Sequence, residues 1–174
     1  FEGTFHGIVD GLYVGFRSPF EGPDCDGIPP SAYADTLICP YNDIERTADI
    51  LRRNRHDLAG VILEPISGAI AARPEFLQGL RDLCDEFGAV LIYDEVVTGF
   101  GRTGKRFAAD HWGVVPDLLV MGKGVSGGYA PLGAVAARDH VRATFADRGA
   151  AFEHIFTFGG HPIATAAGLA VLRI

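Results

Sequence analysis

Length, composition and charge already exclude several classes of protein. The chain has 174 residues, of which 48% are hydrophobic and 21% charged, as in an ordinary globular domain. Its net charge of −7 argues against nucleic acid as a partner, because phosphate binding needs clustered Lys and Arg, and no apolar run reaches the roughly 20 residues that would span a membrane.

The cysteines and the chain ends give further expectations. Cys25, Cys39 and Cys84 are few, odd in number and lack Cys-x-x-Cys spacing. We therefore expect no disulfide framework, no metal site and a reducing, cytoplasmic location. The chain begins with Phe1, and residues 164–174 have the pattern of a helix that stops without a cap. We expect an internal segment of a longer protein.

The first part of the chain changes from irregular to periodic. Residues 1–40 are rich in Gly, Pro and aromatic side chains, which predicts loops with short strands. Residues 44–58 have apolar side chains at helical spacing, with Asn42 or Asp43 as the expected N-cap. The short apolar run at 60–63 predicts a buried strand.

The next elements continue this strand with a helix and further strands. The apolar spacing predicts a helix over 74–87 that ends at Gly88. Apolar runs at 89–93, 118–121 and 132–137 predict three more strands. This succession predicts an α/β fold whose mainly parallel sheet is sandwiched by helices.

Asp94 and Lys123 are two charged residues that lie where predicted strands stop. Ligands of open parallel sheets bind beyond the carboxyl ends of the strands, so the two side chains could face one crevice. Gly122 and Gly124 leave room for a flat ligand beside the lysine amine, which can condense with an aldehyde such as that of pyridoxal 5′-phosphate (PLP). A buried carboxylate would keep the pyridine nitrogen protonated. From spacing alone, two other interpretations remain: Asp94 could form a turn or cap a helix, and Lys123 could be a solvated loop residue.

The run 91–104, Leu-Ile-Tyr-Asp-Glu-Val-Val-Thr-Gly-Phe-Gly-Arg-Thr-Gly, resembles the signature of class III aminotransferases. This family includes the ornithine, 4-aminobutyrate and omega-amino-acid:pyruvate aminotransferases. The resemblance implies the PLP-dependent transferase fold of type I. Residues 1–174 would then be part of the PLP-binding large domain, with an N-terminal segment and a C-terminal small domain outside this chain. Further segments match in the family's order: Phe5-His6-Gly7, Pro116-Asp117, Gly122-Lys123-Gly124, 131–134 and 156–162.

The resemblance implies roles for four residues around the PLP ring. Lys123 corresponds to the lysine that forms the Schiff base and carries protons during the reaction. Asp94 corresponds to the partner of the pyridinium nitrogen. Phe5 corresponds to an aromatic residue that stacks on one face of the ring, and Val96 to the residue on the opposite face. Phe5 could instead be an ordinary residue of the hydrophobic core.

Two further matches concern the surroundings of the ring. Thr157 corresponds to a threonine that reaches the cofactor phosphate of the neighbouring subunit, which implies a homodimer. Glu64 corresponds to a carboxylate near the cofactor. There are alternatives to both roles. Thr157 could be a simple turn residue, and Glu64 could form an ion pair with Arg73 or Arg102. The chain departs from the family at Ser67, where many relatives have a glutamine near the ring hydroxyl of the cofactor.

The resemblance implies a PLP-dependent transaminase that moves an amino group from an amine or (omega-)amino acid to a keto acid through a Schiff base on Lys123. The donor and the acceptor stay unnamed, because the family's phosphate-binding turn and carboxylate-binding arginine fall outside residues 1–174. A PLP-dependent aminomutase or racemase would share the fold and the lysine. A non-catalytic relative is the third alternative.

Overall fold

The computed structural model describes residues 1–174 and divides into two compact units, Phe1–Leu91 and Ile92–Ile174. None of the helices combines the length and the apolar character that crossing a bilayer requires.

The N-terminal part of the first unit is almost entirely loop. Its regular features are an isolated β-bridge at Val14 and one turn of 3-10 helix at Pro30–Ala32. The short strands expected here are absent. One physical reason is that the carboxylate of Asp24 accepts the backbone N–H groups of Phe16 and Arg17, both at 2.7 Å. Those donors are then unavailable to a strand ladder.

Helix α1 spans Ile44–Arg53 and is shorter than the apolar spacing predicts. Of the two expected caps, Asp43 is the one that caps the helix, since its side chain accepts the backbone N–H of Arg46 at 3.0 Å. Asn42 has a φ of +65° and precedes the cap. The helix ends at Asn54, whose backbone is no longer helical, and residues 55–58 continue as a turn and loop.

The rest of the first unit contains strands and the best-predicted helix. Strand β1 spans Gly60–Leu63, and the sequence did not indicate the small antiparallel hairpin of β2 (Ile66–Ser67) and β3 (Ile70–Ala71). Helix α2 spans Pro74–Phe87 and ends at Gly88, whose φ of +68° suits a residue without a side chain. Its start, its end and its apolar face are confirmed. The buried side chains are Phe76, Leu77, Leu80, Leu83 and Cys84.

The sheet is mixed, and its strand order is β1-β4-β5-β6. Strand β4, Val90–Asp94, contains the boundary between the units. It pairs in parallel with β5, Leu118–Met121, which pairs antiparallel with β6, Ala134–Ala137. The predicted class, a mainly parallel sheet flanked by helices in a type I PLP fold, is confirmed. The antiparallel direction of β6 was not anticipated.

Two helices follow the last strand. Helix α3, Asp139–Asp147, has no buried residue, so it lacks the apolar stripe from which a helix is predicted. Helix α4 spans Pro162–Val171. It begins two residues before the predicted range 164–174 and ends three residues before the end of that range. It begins earlier because Pro162 is suited to the first helical position, where its missing N–H costs nothing.

Candidate active site

The two charged residues singled out in the sequence lie at the tips of neighbouring parallel strands. Asp94 is the last residue of β4 and stands opposite Val120 of β5. Lys123 follows two residues after β5 ends at Met121. Because the strands run in the same direction, both residues lie at the same edge of the sheet. Asp94 is 7% exposed, whereas Lys123 is solvent-exposed.

The backbone around Lys123 passes unusually close to its neighbours. A Cβ atom on Gly122 would lie 3.1 Å from Cγ1 of Val96, and one on Gly124 would lie 3.1 Å from Cβ of Phe100. The two glycines therefore let the lysine segment pack directly against residues 96–100. Lys123 itself has a φ of +40°, a conformation uncommon for a residue with a side chain. Such strain is often found at functional sites.

The turn after β4 orients the aspartate. The backbone N–H of Val96 donates to Oδ1 of Asp94 at 3.1 Å. Val96 is half-buried, with its methyl groups toward the position of Gly122. The same short segment thus holds the carboxylate and the apolar side chain that the family resemblance assigns to a ring face.

Glu95 is an important residue of this segment for which no role was predicted from the sequence. Its side chain is completely buried and accepts hydrogen bonds from the hydroxyl of Thr98 at 2.9 Å and from the backbone N–H groups of Ala108 and Ala109. Its backbone N–H donates to the carbonyl of Val120 at 2.9 Å. These three donors satisfy the oxygens of a carboxylate that water does not reach. The sequence feature that could have indicated this role is a Glu at the end of an apolar strand with a Thr three residues later.

Phe5 is not a core residue. Its side chain is 39% exposed, although two other rings support it. The centroid of the Phe5 ring lies 5.9 Å from that of Tyr13 and 5.4 Å from that of Phe16, and both pairs are edge-type contacts. Because both neighbouring rings meet Phe5 in edge-type rather than stacked contacts, and Phe5 is 39% exposed, part of its ring remains accessible to a ligand.

Glu64 forms hydrogen bonds rather than an ion pair within the first unit. Its Oε2 accepts the backbone N–H of Phe5 at 3.2 Å and the hydroxyl of Ser67 at 2.9 Å. The pairing with Arg73 considered from the sequence is not formed. Tyr41 donates its hydroxyl to the backbone carbonyl of Glu64 at 2.7 Å. Burial, with a smaller contribution from the charge of Glu64, raises the pKa of Tyr41 well above its ordinary value, so this donor keeps its proton.

Thr157 lies in an exposed turn just before α4. Its hydroxyl makes no hydrogen bond within the chain, although two backbone hydrogen bonds of this turn, Gly159 to Phe156 and His161 to Phe158, close around it. Thr157 thus occupies a turn, and its hydroxyl remains available to a ligand.

The comparison with known proteins identifies the family. The model of the class-III aminotransferases matches residues 1–174. This chain belongs to the class III aminotransferase family. A glutamate-1-semialdehyde 2,1-aminomutase of Dechloromonas aromatica is 41% identical over 180 residues, an alignment that covers 100% of this chain and 42% of that protein.

Solved structures support the same assignment to the class III family. A transaminase with PLP bound superposes with a TM-score of 0.87 at 34% identity, covering 98% of this chain and 41% of the other. An omega-transaminase from Sphaerobacter thermophilus gives a TM-score of 0.87 at 31% identity, covering 99% and 42%. The chain thus spans less than half the length of these relatives. The resemblance described from the sequence is confirmed, and the family is PLP-dependent.

The chemistry of the second unit fits such a cofactor. A buried carboxylate suits a protonated ring nitrogen, and an exposed primary amine on the adjacent strand tip suits an aldehyde. Gly122 keeps open the space beside Val96 that a Cβ would fill. The residues that would hold PLP in this unit are Asp94, Val96 and Lys123.

Proposed function

We propose that the full-length protein is a PLP-dependent transaminase that moves an amino group from an amine or (omega-)amino acid to a keto acid. The observation that carries this proposal is the placing of the buried Asp94 carboxylate and the exposed Lys123 amine on neighbouring parallel strand tips. When bound, PLP supplies an aldehyde that reacts with primary amines and a ring that accepts an electron pair.

The two charged side chains have different tasks in this proposal. Asp94 keeps the ring nitrogen protonated, and its burial strengthens the interaction because little water screens it. The Nζ atom of Lys123 would hold the cofactor through its aldehyde carbon. Once a substrate amine has replaced it there, Nζ would take the proton from the substrate carbon that bears the nitrogen, as general base, and give the same proton to the former aldehyde carbon, as general acid.

The remaining site residues are assigned by the family match and by their own surroundings. Val96 is proposed to pack on one face of the ring, and Phe5, which is partly exposed, to stack on the other. Glu64 is proposed to support Phe5 through the backbone contact. Thr157, whose hydroxyl is available, is proposed to bind the cofactor phosphate of a partner subunit in a cytoplasmic homodimer.

We also propose that residues 1–174 form part of the PLP-binding large domain of the whole protein. The phosphate-binding turn and any arginine for a substrate carboxylate would be supplied by sequence outside them. The short length relative to the known relatives supports this division.

An aminomutase is the second candidate, because a relative named for that activity is 41% identical to this chain. Both reactions would use the same lysine and the same aspartate. They differ in the fate of the nitrogen, which leaves the substrate in transamination and returns to another carbon of the same molecule in a mutase. The requirement for a keto acid therefore separates them.

The deciding experiment uses the purified full-length protein loaded with PLP. A panel of amines and amino acids is incubated with pyruvate or 2-oxoglutarate, and both carbonyl compounds are quantified. We expect the keto acid to be consumed in equal amount to the new carbonyl product. Rearrangement of an amino-carbonyl substrate without any keto acid would instead establish the mutase, and no reaction in either assay would contradict both candidates.

A further inference from the structure

We propose that Ser67 is a positioning residue that fixes Phe5 through the carboxylate of Glu64. The inference depends on the proposed function in one respect, since Phe5 is there assigned to a face of the PLP ring. All three residues belong to the first unit. Their contacts join two segments that are distant in sequence, with Phe5 and Glu64 separated by 59 positions.

A single carboxylate oxygen connects the two segments. Oε2 of Glu64 accepts from the Ser67 hydroxyl at 2.9 Å and from the backbone N–H of Phe5 at 3.2 Å. Hydrogen bonds to an ionised acceptor are stronger than those between neutral groups. Two donors at this oxygen restrict rotation of the carboxylate, whereas the Phe5 N–H alone would leave it free to turn.

The main chain of Glu64 is held by a different residue. The hydroxyl of Tyr41 lies 2.7 Å from the carbonyl oxygen of Glu64 and 3.2 Å from that of Pro65. Tyr41 therefore fixes the backbone after β1, and Ser67 fixes the side chain. Removing the Ser67 hydroxyl should release the carboxylate without loosening the strand that carries it.

The segment before Phe5 is anchored separately from Phe5 itself. The backbone N–H of Gly3 donates to the carbonyl of Gly15 at 2.8 Å, and Oγ of Ser67 lies 3.0 Å from the carbonyl of Gly3. A hydroxyl carries one proton and donates to one acceptor at a time, and the charged carboxylate is the stronger acceptor. The N–H of Phe5 has Glu64 as its partner, so the Phe5 backbone depends on that carboxylate.

This arrangement gives Ser67 a physical role. A short hydroxyl that contacts Glu64 and Gly3 acts on the backbone of the Phe5 segment. The Phe5 ring meets the rings of Tyr13 and Phe16 in edge-type contacts and is not stacked against either, so a shift of its backbone would change the plane of the ring. Ser67 thus controls the orientation of an aromatic face.

The first test measures amide hydrogen exchange in the cofactor-free full-length protein. We expect Ser67→Ala to speed exchange at the Phe5 amide by about fivefold to tenfold, the effect of losing one hydrogen bond. Ser67→Thr retains a hydroxyl and should stay near the wild-type rate. Thr36→Val is the matched control, because it removes a hydroxyl bonded to the carbonyl of Gly11 at 2.7 Å and should leave Phe5 unchanged. Wild-type exchange at Phe5 in Ser67→Ala would overturn the proposal.

The second test measures binding of PLP to the same proteins by absorbance and by visible circular dichroism, which reports the orientation of the bound ring. We expect Ser67→Ala to weaken binding by about threefold to tenfold and to change the dichroic band, and Ser67→Thr to restore both. Faster exchange at Phe5 with wild-type affinity and dichroism would refute the positioning role. If the wild-type protein binds no PLP, the proposed function fails, and the exchange experiment still decides whether Ser67 fixes Phe5.

Discussion

Lys123 presents its amine from a backbone conformation that few lysines adopt. Its φ of +40° places it in the left-handed region, where a side chain crowds the backbone. The glycines on either side of Lys123 pack closely against residues 96–100. A lysine that only contacts solvent does not require such a backbone conformation. The conformation therefore supports the assignment of Lys123 as the reactive amine.

At this scale the sharpest prediction concerns Lys123→Ala in the full-length protein. We expect loss of the near-visible absorbance that borohydride removes and a fall in turnover of about 10³-fold or more, because both the covalent link and the proton transfer disappear. Lys105 is exposed and is the other lysine of the sequence, so Lys105→Ala is the matched control and should behave as wild type. An active Lys123→Ala protein with an unchanged spectrum would rule out the assignment.

Between elements, the site depends on close packing of the segment after β5 against the segment after β4. The Cβ that Gly122 lacks would approach the two methyl groups of Val96 to 3.1 and 3.3 Å, closer than most carbon contacts. Gly122 has an extended backbone, with a φ of −161°, so an alanine there would meet no backbone strain. The effect of a substitution would therefore come from packing against Val96 alone.

Gly122→Ala should displace Val96 and lower the free energy of unfolding by about 1–3 kcal/mol, the usual cost of overpacking. Cofactor affinity should fall with it, because Val96 shares its turn with Asp94. Thermal unfolding and PLP titration measure the two effects. Gly133→Ala is the control, since its Cβ would lie at an ordinary 3.7 Å from the carbonyl of Met121. The double variant with Val96→Ala should recover stability, and strict additivity would exclude the packing explanation.

For the whole molecule, the proposed homodimer implies that each site uses residues of two subunits. Thr157 lies in an exposed turn and its hydroxyl has no partner within the chain. The surface beside it contains exposed apolar side chains that water solvates poorly: Phe152, Ile155, Phe156 and Phe158 are between 67 and 87% exposed. Both features are consistent with the proposed homodimer.

Mixed dimers provide the test of a shared site. Lys123→Ala and Thr157→Val, each inactive or impaired alone, are co-expressed with different tags, and the hybrid is isolated by both tags. If Thr157 binds the partner's cofactor, one site of the hybrid combines an intact lysine with an intact threonine, and about half of the wild-type turnover should return. If Thr157 serves its own chain, no site of the hybrid is intact and activity stays at the level of the variants.

Much of this protein could be determined from the sequence because the relevant signals are local. The helix of residues 74–87 has its apolar spacing, its starting proline and its terminal Gly88 within one stretch, and the structure reproduces it. The cap of α1 was narrowed to two adjacent residues for the same reason. The family was also recognisable, since its motifs are short runs, and Asp94 and Lys123 stand where apolar runs stop.

The tertiary structure decided what depends on partners far along the chain. The antiparallel direction of β6 is set by its pairing with β5, which no pattern within residues 134–137 encodes. The apolar spacing of 44–58 continues past the true end of α1, because spacing alone cannot show where the backbone leaves the helix. The hydroxyl of Ser67 contacts the carbonyl of Gly3, 64 residues away, and Glu95 is held by backbone donors 13 and 14 residues away. Periodicity and motifs describe neighbours in sequence, whereas these contacts exist only once the chain has folded.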